Sequence, residues 1–149
     1  MKRQGVLVTV LFAVVLGVLI VPRLRGVAPT PAMFDEQLTL DAALERSAQS
    51  GKPVLAIVTA DWCGACQSFK RGALADPEIE QMVRTSFVPV SIDADRQTGD
   101  VARIGRVEYL PTSVVIRGGR EVERAAGAMS AERFAAMLRR ALSESTPAG

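Results

Sequence analysis

The stretch PVLAIVTADWCGAC, residues 53–66, decides how the rest of the chain is interpreted. It opens with a continuous apolar run, Pro53–Ala60, which has the length expected of a strand that is buried on both faces. A helix is predicted from about Cys63 to about Gly72, and the second cysteine, Cys66, lies within it. A C-x-x-C at a strand-to-helix turn within a β-α-β pattern is a strong signal of thiol redox chemistry.

The positions of the two cysteines predict a role for each. Spacing of i, i+3 on a helix places the sulfurs on one face, close enough for a Cys63–Cys66 disulfide. Unpaired N–H groups and the positive end of the helix dipole should lower the pKa of Cys63 at the first helical position. Cys63 is therefore predicted to be the attacking thiolate, and the shielded Cys66 to resolve the mixed disulfide.

Two other uses of a cysteine pair remain open at this point. A zinc ion requires four ligands, and the chain has two cysteines and no histidine, so only a four-cysteine site shared across a dimer would suffice. A purely structural disulfide is the second alternative, but closing so short a loop restricts the unfolded chain very little. No metal site and no cofactor are predicted. The lack of histidine also excludes Ser-His and Cys-His nucleophile pairs.

Alternating helix and strand patterns continue along the chain and predict an α/β fold. The order β-α-β, a connecting helix and then β-β-α favours a central mixed sheet flanked by helices. The predicted elements are a helix over Asp41–Ser50 between Thr39 and Gly51, a short helix capped at Asp76-Pro77-Glu78, a strand over Phe87–Ile92, a hairpin of Thr112–Arg117 and Glu121–Ala126 around Gly118-Gly119, and a final helix capped by Ser130.

The N-terminus is predicted to be a membrane signal rather than part of this fold. The run Val6–Val21 has Thr9 as its only polar member and is intermediate in length between a secretory signal and a spanning helix. We therefore predict a single signal anchor over residues 1–21, a Pro-rich tether over 22–33 that holds the domain off the bilayer, a domain over 34–143 and a flexible tail over 144–149. A cleaved, secreted form is the alternative.

Charge indicates the orientation of that anchor and excludes one class of partner. Lys2 and Arg3 outweigh Arg23 and Arg25 and should keep the N-terminus cytoplasmic, so that the domain faces the periplasm or exterior. Residues 33–149 carry 14 basic and 16 acidic side chains. Such a domain lacks the basic stripe of a nucleic-acid binder, and no nucleic-acid partner is expected.

Three separated segments together resemble the thioredoxin-fold family. They are Gly51-Lys52-Pro53-Val54 through the Trp62-Cys63-Gly64-Ala65-Cys66 motif, then Leu110-Pro111-Thr112, then Gly127-Ala128-Met129-Ser130. The resemblance is strongest to the C-terminal periplasmic domain of DsbD-type disulfide reductases. It implies a thioredoxin-like fold, a cis-proline at Pro111 that faces the disulfide, and a substrate groove lined by Trp62, Leu110, Pro111 and Gly127.

The chain departs from that family at several positions. Members commonly keep a buried acid six residues before the first cysteine, where this chain has Ile57. DsbD-like relatives carry an acid four residues after the second cysteine, where Lys70 stands here. Asp61 is expected to point to solvent, and Glu108 or water to take the proton of Cys66 instead. Tyr109 occupies a position where relatives often have glycine.

The function expected from these features is a membrane-anchored, outward-facing protein-disulfide reductase. Gly64 and Ala65 between the cysteines add no charge that would stabilise the thiolate further, which favours net reduction. The expected partners are protein disulfides and, by analogy, a DsbD- or CcdA-like membrane electron donor. A disulfide oxidase or isomerase, and a binding module that uses its groove without turnover, are the alternatives.

Overall fold

The computed structural model describes residues 11–12, 14–16, 26–34 and 38–143. The predicted tail, residues 144–149, lies outside these residues, as does most of the predicted anchor. Of that anchor, the described residues 11–12 and 14–16 are helical and exposed. Within the described ranges, no helix is long and apolar enough to cross a membrane.

Between Leu40 and Ser143, all of which are described, the chain forms five helices and four strands. The helices are α1 Leu40–Ser50, α2 Gly64–Arg71, α3 Pro77–Ser86, α4 Thr98–Ile104 and α5 Ala131–Ser143, and a 3₁₀ turn spans Ala73–Ala75. The strands are β1 Val54–Thr59, β2 Val88–Asp93, β3 Thr112–Arg117 and β4 Arg120–Ala126. The order predicted from the sequence is confirmed, and every end that was predicted lies within a residue or two of the observed one.

The strands form one mixed sheet in the order β2-β1-β3-β4. β1 pairs in parallel with β2 and antiparallel with β3, which in turn forms an antiparallel hairpin with β4. Gly118 and Gly119, both at positive φ, make the turn of that hairpin. β1 is therefore a central strand, and all six of its residues are buried as the apolar run predicted.

Alternation along β1 divides the core between the two faces of the sheet. Leu55 and Ile57 pack in a cluster with Phe69 of α2, Val83 of α3 and Phe134 of α5. The intervening residues of β1 pack on the other face with residues of α1, β2 and α4. Helices thus cover both faces, which confirms the predicted α/β architecture, and Ile57 lies on the same face as the helix that carries Cys66.

Side-chain caps fix the helix ends near the positions predicted. Thr39 Oγ1 accepts from the Ala42 N–H at 3.3 Å, and Gly51 ends α1 with φ of 73°. Asp76 Oδ1 accepts from the N–H groups of Glu78 and Ile79 at the start of α3. Cys63, predicted to be the first helical residue, is instead the N-cap, and α2 begins one position later, at Gly64.

Arg124 on β4 ties the hairpin to the end of α4 and the segment that follows it. Its guanidinium donates to the carbonyls of Ile104 and Arg106 at 2.8 and 2.7 Å, and to both oxygens of Glu121 at 2.8 and 2.5 Å. The hydrogen bonds from Arg124, aided by its charge, hold the pKa of Glu121 below its usual value against the opposing effect of burial.

A Glu121→Gln variant should therefore lose stability at neutral pH by up to about 1 kcal/mol, as expected for a partly exposed pair. Because the pKa of Glu121 is lowered on folding, its contribution is present above its unfolded pKa and is lost as pH falls through its folded pKa. Urea unfolding from pH 7 down to about pH 3 should show the two proteins converging. An Arg124→Gln background should remove the difference, and a gap that persists there would contradict this account.

Candidate active site

Cys63 and Cys66 form a disulfide at the start of α2, with an S–S distance of 2.13 Å. β1 ends at Thr59, and the turn that follows is closed by the Cys63 N–H donating to the Ala60 carbonyl at 3.2 Å. The Cys63 sulfur accepts from the Cys66 N–H at 3.1 Å. Cys63 is 6% exposed and Cys66 only 1%, so Cys63 is the more accessible of the two sulfurs, as its predicted role requires.

Three of the four predicted groove residues, Trp62, Leu110 and Pro111, lie next to the disulfide, and the fourth, Gly127, is hydrogen-bonded to Pro111. The Leu110–Pro111 bond is cis, as the resemblance implied, and Leu110 packs against Ala60 and the two cysteines. Pro111 lines a small cavity with Cys66, and its carbonyl accepts from the Gly127 N–H at 2.7 Å. Trp62 precedes Cys63 and is 72% exposed. Their role in holding a substrate remains a prediction.

Trp62 and Asp61 are both held by the loop after β2, which the sequence gave no reason to expect. Trp62 Nε1 donates to Asp95 Oδ2 at 2.8 Å, although 33 positions separate these residues in sequence. Asp61 Oδ2 accepts from Arg96 Nη2 at 2.7 Å. Asp61 is half exposed, in keeping with the expectation that it points to solvent, but its pairing with Arg96 was not predicted.

Two of the departures from the family pattern, Ile57 and Lys70, line the same cavity as Cys66. Ile57 is buried, and it lines the small cavity together with Cys66 and Lys70. Lys70 is itself buried, which an interpretation by sequence position did not anticipate. Glu108, one of the predicted proton acceptors, has a side chain 62% exposed that pairs with Arg106 at 3.6 Å and is absent from the lining of this cavity.

Residues 26–34 pack against the helices near the disulfide. Ala28, Met33 and Phe34 are buried, and the Ala28 N–H donates to Gln67 Oε1 of α2 at 2.6 Å. Two arginines, Arg71 of α2 and Arg84 of α3, donate to carbonyls of this segment. The described part of the predicted tether therefore rests on the domain instead of extending away from it. Its apolar residues reach the core because Pro31 and the turn that follows it fold the chain back.

A Phe34→Ala variant should lower the free energy of unfolding by about 2–4 kcal/mol, because a buried ring is lost from the core. Phe34 also lines the cavity beside Cys66, so reduced Cys66 should react faster with a small alkylating reagent. Val27→Ala is the matched control, since Val27 is 58% exposed and its loss should be close to neutral. Equal stability and equal alkylation rates in the two variants would show that this segment does not pack as described.

Within the described residues, no group of three or more acidic or cysteine side chains is placed to hold a metal ion. The two sulfurs are bonded to each other, and the acids nearest to them are engaged with Arg96 and Trp62. A C-x-x-C at a helix start beside a cis-proline is an arrangement suited to thiol–disulfide exchange.

Residues 40–142 match the family described as a thioredoxin-like domain. The chain belongs to this family. Its Cys63–Cys66 pair makes it a thioredoxin-like member of the thiol–disulfide oxidoreductases.

The chain is similar to DsbD proteins in sequence and to a thioredoxin in structure. It is 31% identical to the thiol:disulfide interchange protein DsbD of Haemophilus ducreyi in an alignment 119 residues long, which covers 74% of this chain and 21% of that protein. The DsbD of Escherichia coli is 35% identical in an alignment 95 residues long, which covers 60% of this chain and 17% of that protein. The chain thus spans about a fifth of the length of these relatives. A thioredoxin structure from Thermus thermophilus superposes with a TM-score of 0.64 at 27% identity, covering 70% of this chain and 85% of that one.

Proposed function

We propose that this thioredoxin-like protein reduces disulfides in other proteins and does so from a membrane-anchored position outside the cytoplasm. The observation that supports this chemistry is the Cys63–Cys66 disulfide at the N-terminus of α2, where Cys66 lines a cavity together with cis-Pro111. Gly64 and Ala65, the residues between the cysteines, are uncharged. A positive charge there would favour the dithiol form and make the pair a strong oxidant.

The reduced pair carries out the reaction in two exchanges. The Cys63 thiolate attacks one sulfur of the substrate disulfide, a Cys63–substrate disulfide forms, and the other substrate sulfur leaves as a thiolate that solvent protonates. Cys66 then loses its proton and attacks the Cys63 sulfur, which releases the second substrate thiolate. The substrate gains two electrons, and the protein is left with the Cys63–Cys66 disulfide.

The neighbouring groups suit an extended peptide as the substrate. Trp62 is exposed next to Cys63 in the chain, and Leu110 packs against the two cysteines, so both offer apolar surface to a substrate. In this proposal, the backbone that precedes Pro111 pairs with the substrate as an added strand. Within this proposal Gly127, bonded to the Pro111 carbonyl, forms the far wall of the groove. A protein disulfide is therefore the proposed substrate class, and a DsbD- or CcdA-like membrane protein is the proposed electron donor.

Reduction of insulin by the full chain in mild detergent, with dithiothreitol as the electron source, tests the activity. The wild-type protein should accelerate precipitation of the insulin B chain, and Cys63→Ser should not. Acceleration by Cys63→Ser equal to that of the wild type would exclude the proposed chemistry. Binding of insulin without any acceleration would favour the alternative of a binding module.

The proposed anchor and orientation are supported by the apolar run Val6–Val21 and the preceding Lys2 and Arg3. In a Gram-negative host, the protein should remain in the membrane fraction after alkaline carbonate washing. Protease added to spheroplasts should digest the domain. Release by carbonate would contradict an anchor, and protection from protease in intact spheroplasts would contradict the outward orientation.

A further inference from the structure

Lys70 is a buried lysine that shares a cavity with the resolving cysteine. The residue is 9% exposed, and lysine is rarely buried without a specific partner. Cys66 and Lys70 stand at i and i+4 on α2 and thus on one face of the helix. Both line a cavity of about 10 Å³, in which Lys70 is the only charged residue among the described lining residues.

The carboxylates near Lys70 lie outside this inner cavity. The nearest is Asp61, whose Oδ1 is 4.0 Å from the Lys70 Nζ. Its other oxygen accepts from Arg96, which also lies 3.6 Å from Asp93. Asp61, Asp93 and Arg96 line a separate, solvent-open cavity of about 370 Å³. Solvent weakens their fields there. Lys70 lines both cavities, so its side chain also borders the protein interior beside Cys66.

Polar side chains connect the two cavities. Both cavities are lined by Thr59, Lys70 and Ser91. The inner cavity beside Cys66 therefore adjoins the outer cavity along these three polar side chains. Thr59 is 5% exposed, and its Oγ1 has no hydrogen-bond partner within the described part of the chain. A volume of about 10 Å³ is near the lower limit for one water molecule, and the hydroxyls of Thr59 and Ser91 would be its partners.

We propose that Lys70 promotes the resolving step by stabilising the Cys66 thiolate, while the Cys66 proton leaves past Thr59 and Ser91 to water in the outer cavity. This inference rests on the proposed function, since it concerns the second exchange of that reaction. The Cys66 thiolate then bonds to the Cys63 sulfur, the Cys63–substrate bond breaks, and its electron pair leaves with the substrate sulfur. Lys70 gives the site a charge of the sign that a thiolate needs.

Removing the charge of Lys70 should raise the pKa of the Cys66 thiol in the mixed disulfide. A rise of about one unit would lower the thiolate fraction about tenfold at neutral pH. A more basic thiolate is also the better nucleophile, so the net loss of rate should be about three- to fourfold. Well above the thiol pKa the loss should disappear and turn into a gain of up to about threefold, because the thiolate is then fully formed in both proteins and that of the variant is the better nucleophile.

Single-turnover reaction of the reduced full chain with 5,5′-dithiobis(2-nitrobenzoate) separates the two exchanges. The first chromophore is released when Cys63 attacks, at a rate proportional to reagent concentration. The second is released when Cys66 resolves the adduct, at a rate independent of it. In Lys70→Met the second release should slow about three- to fourfold at pH 7 and match or exceed the wild-type rate at high pH, whereas Lys70→Arg should stay near the wild-type rate.

Lys52→Met is the matched control, because it removes the same charge at a residue that precedes the N-terminal end of β1, whereas the cysteines follow its C-terminal end. This variant should leave the second release unchanged. The inference would be overturned if the second release in Lys70→Met were unaltered, or slowed equally at every pH. A normal first release in the same experiment would leave the proposed function standing. If Lys70→Met does not fold, Asp61→Asn decides the question. Loss of the opposing carboxylate should speed the second release, and an unchanged or slower release would overturn the inference.

Discussion

A Cys66→Ser variant should accumulate covalent adducts with its substrates and lose steady-state turnover by about 100-fold or more. The reason is that Cys63 keeps its place at the N-cap of α2 and can still attack, whereas serine cannot perform the second exchange at neutral pH. When the variant is expressed in cells that are then quenched with acid, the adducts should appear on non-reducing gels as bands of higher mass that disappear on treatment with a thiol.

Cys63→Ser is the matched control for this variant, because it removes the accessible sulfur and leaves the one that is 1% exposed. It should form no adducts. Adducts in equal amount from both variants would show that the two sulfurs are equivalent, which would contradict the assignment of separate roles. The same partners bound by both variants without a covalent bond would favour a binding module.

A Phe134→Ala variant should lose about 3–5 kcal/mol of unfolding free energy. Phe134 of α5 is fully buried, and its ring lies edge-on to that of Phe69 of α2, with centroids 5.1 Å apart and planes at 77°. Removing one ring leaves a cavity and also removes an aromatic contact of about 0.5–1.5 kcal/mol. Because Cys63 caps α2 and Cys66 lies within it, this contact helps to hold the active-site helix in place.

Urea unfolding of the oxidised protein would measure that loss. Phe134→Leu keeps most of the volume and should be much less damaging, and Tyr109→Ala should be close to neutral because Tyr109 is 68% exposed. A loss below about 1 kcal/mol in Phe134→Ala would contradict a central place for this ring in the core.

Local signals carried most of the prediction of the fold. The buried strand β1, the Gly118-Gly119 hairpin and the caps at Thr39 and Asp76 depend on residues within a few positions of one another, so the sequence indicates them directly. Helix α4 was expected only as an unplaced connection. Its seven residues include Gly99, and its N-cap Gln97 makes no side-chain cap, so neither length nor capping marked it.

The site residues that belong to a sequence motif could be predicted. The interactions that depend on tertiary contacts could not. Cys63, Cys66 and Pro111 stand in recognisable motifs. The bond from Trp62 to Asp95 and the pairing of Asp61 with Arg96 join residues more than 30 positions apart and leave no local signal. The burial of Lys70 depends likewise on how α2 packs, so its departure from the family pattern was visible while its position beside Cys66 was not.

The reduction potential of the Cys63–Cys66 pair tests the proposed direction of the reaction most directly. The full chain in mild detergent would be equilibrated in defined thiol/disulfide buffers, and the fluorescence of Trp62, the single tryptophan, would report the redox state. A reductase should give a potential below about −220 mV. A potential above about −150 mV would make the pair an oxidant and contradict the proposed function.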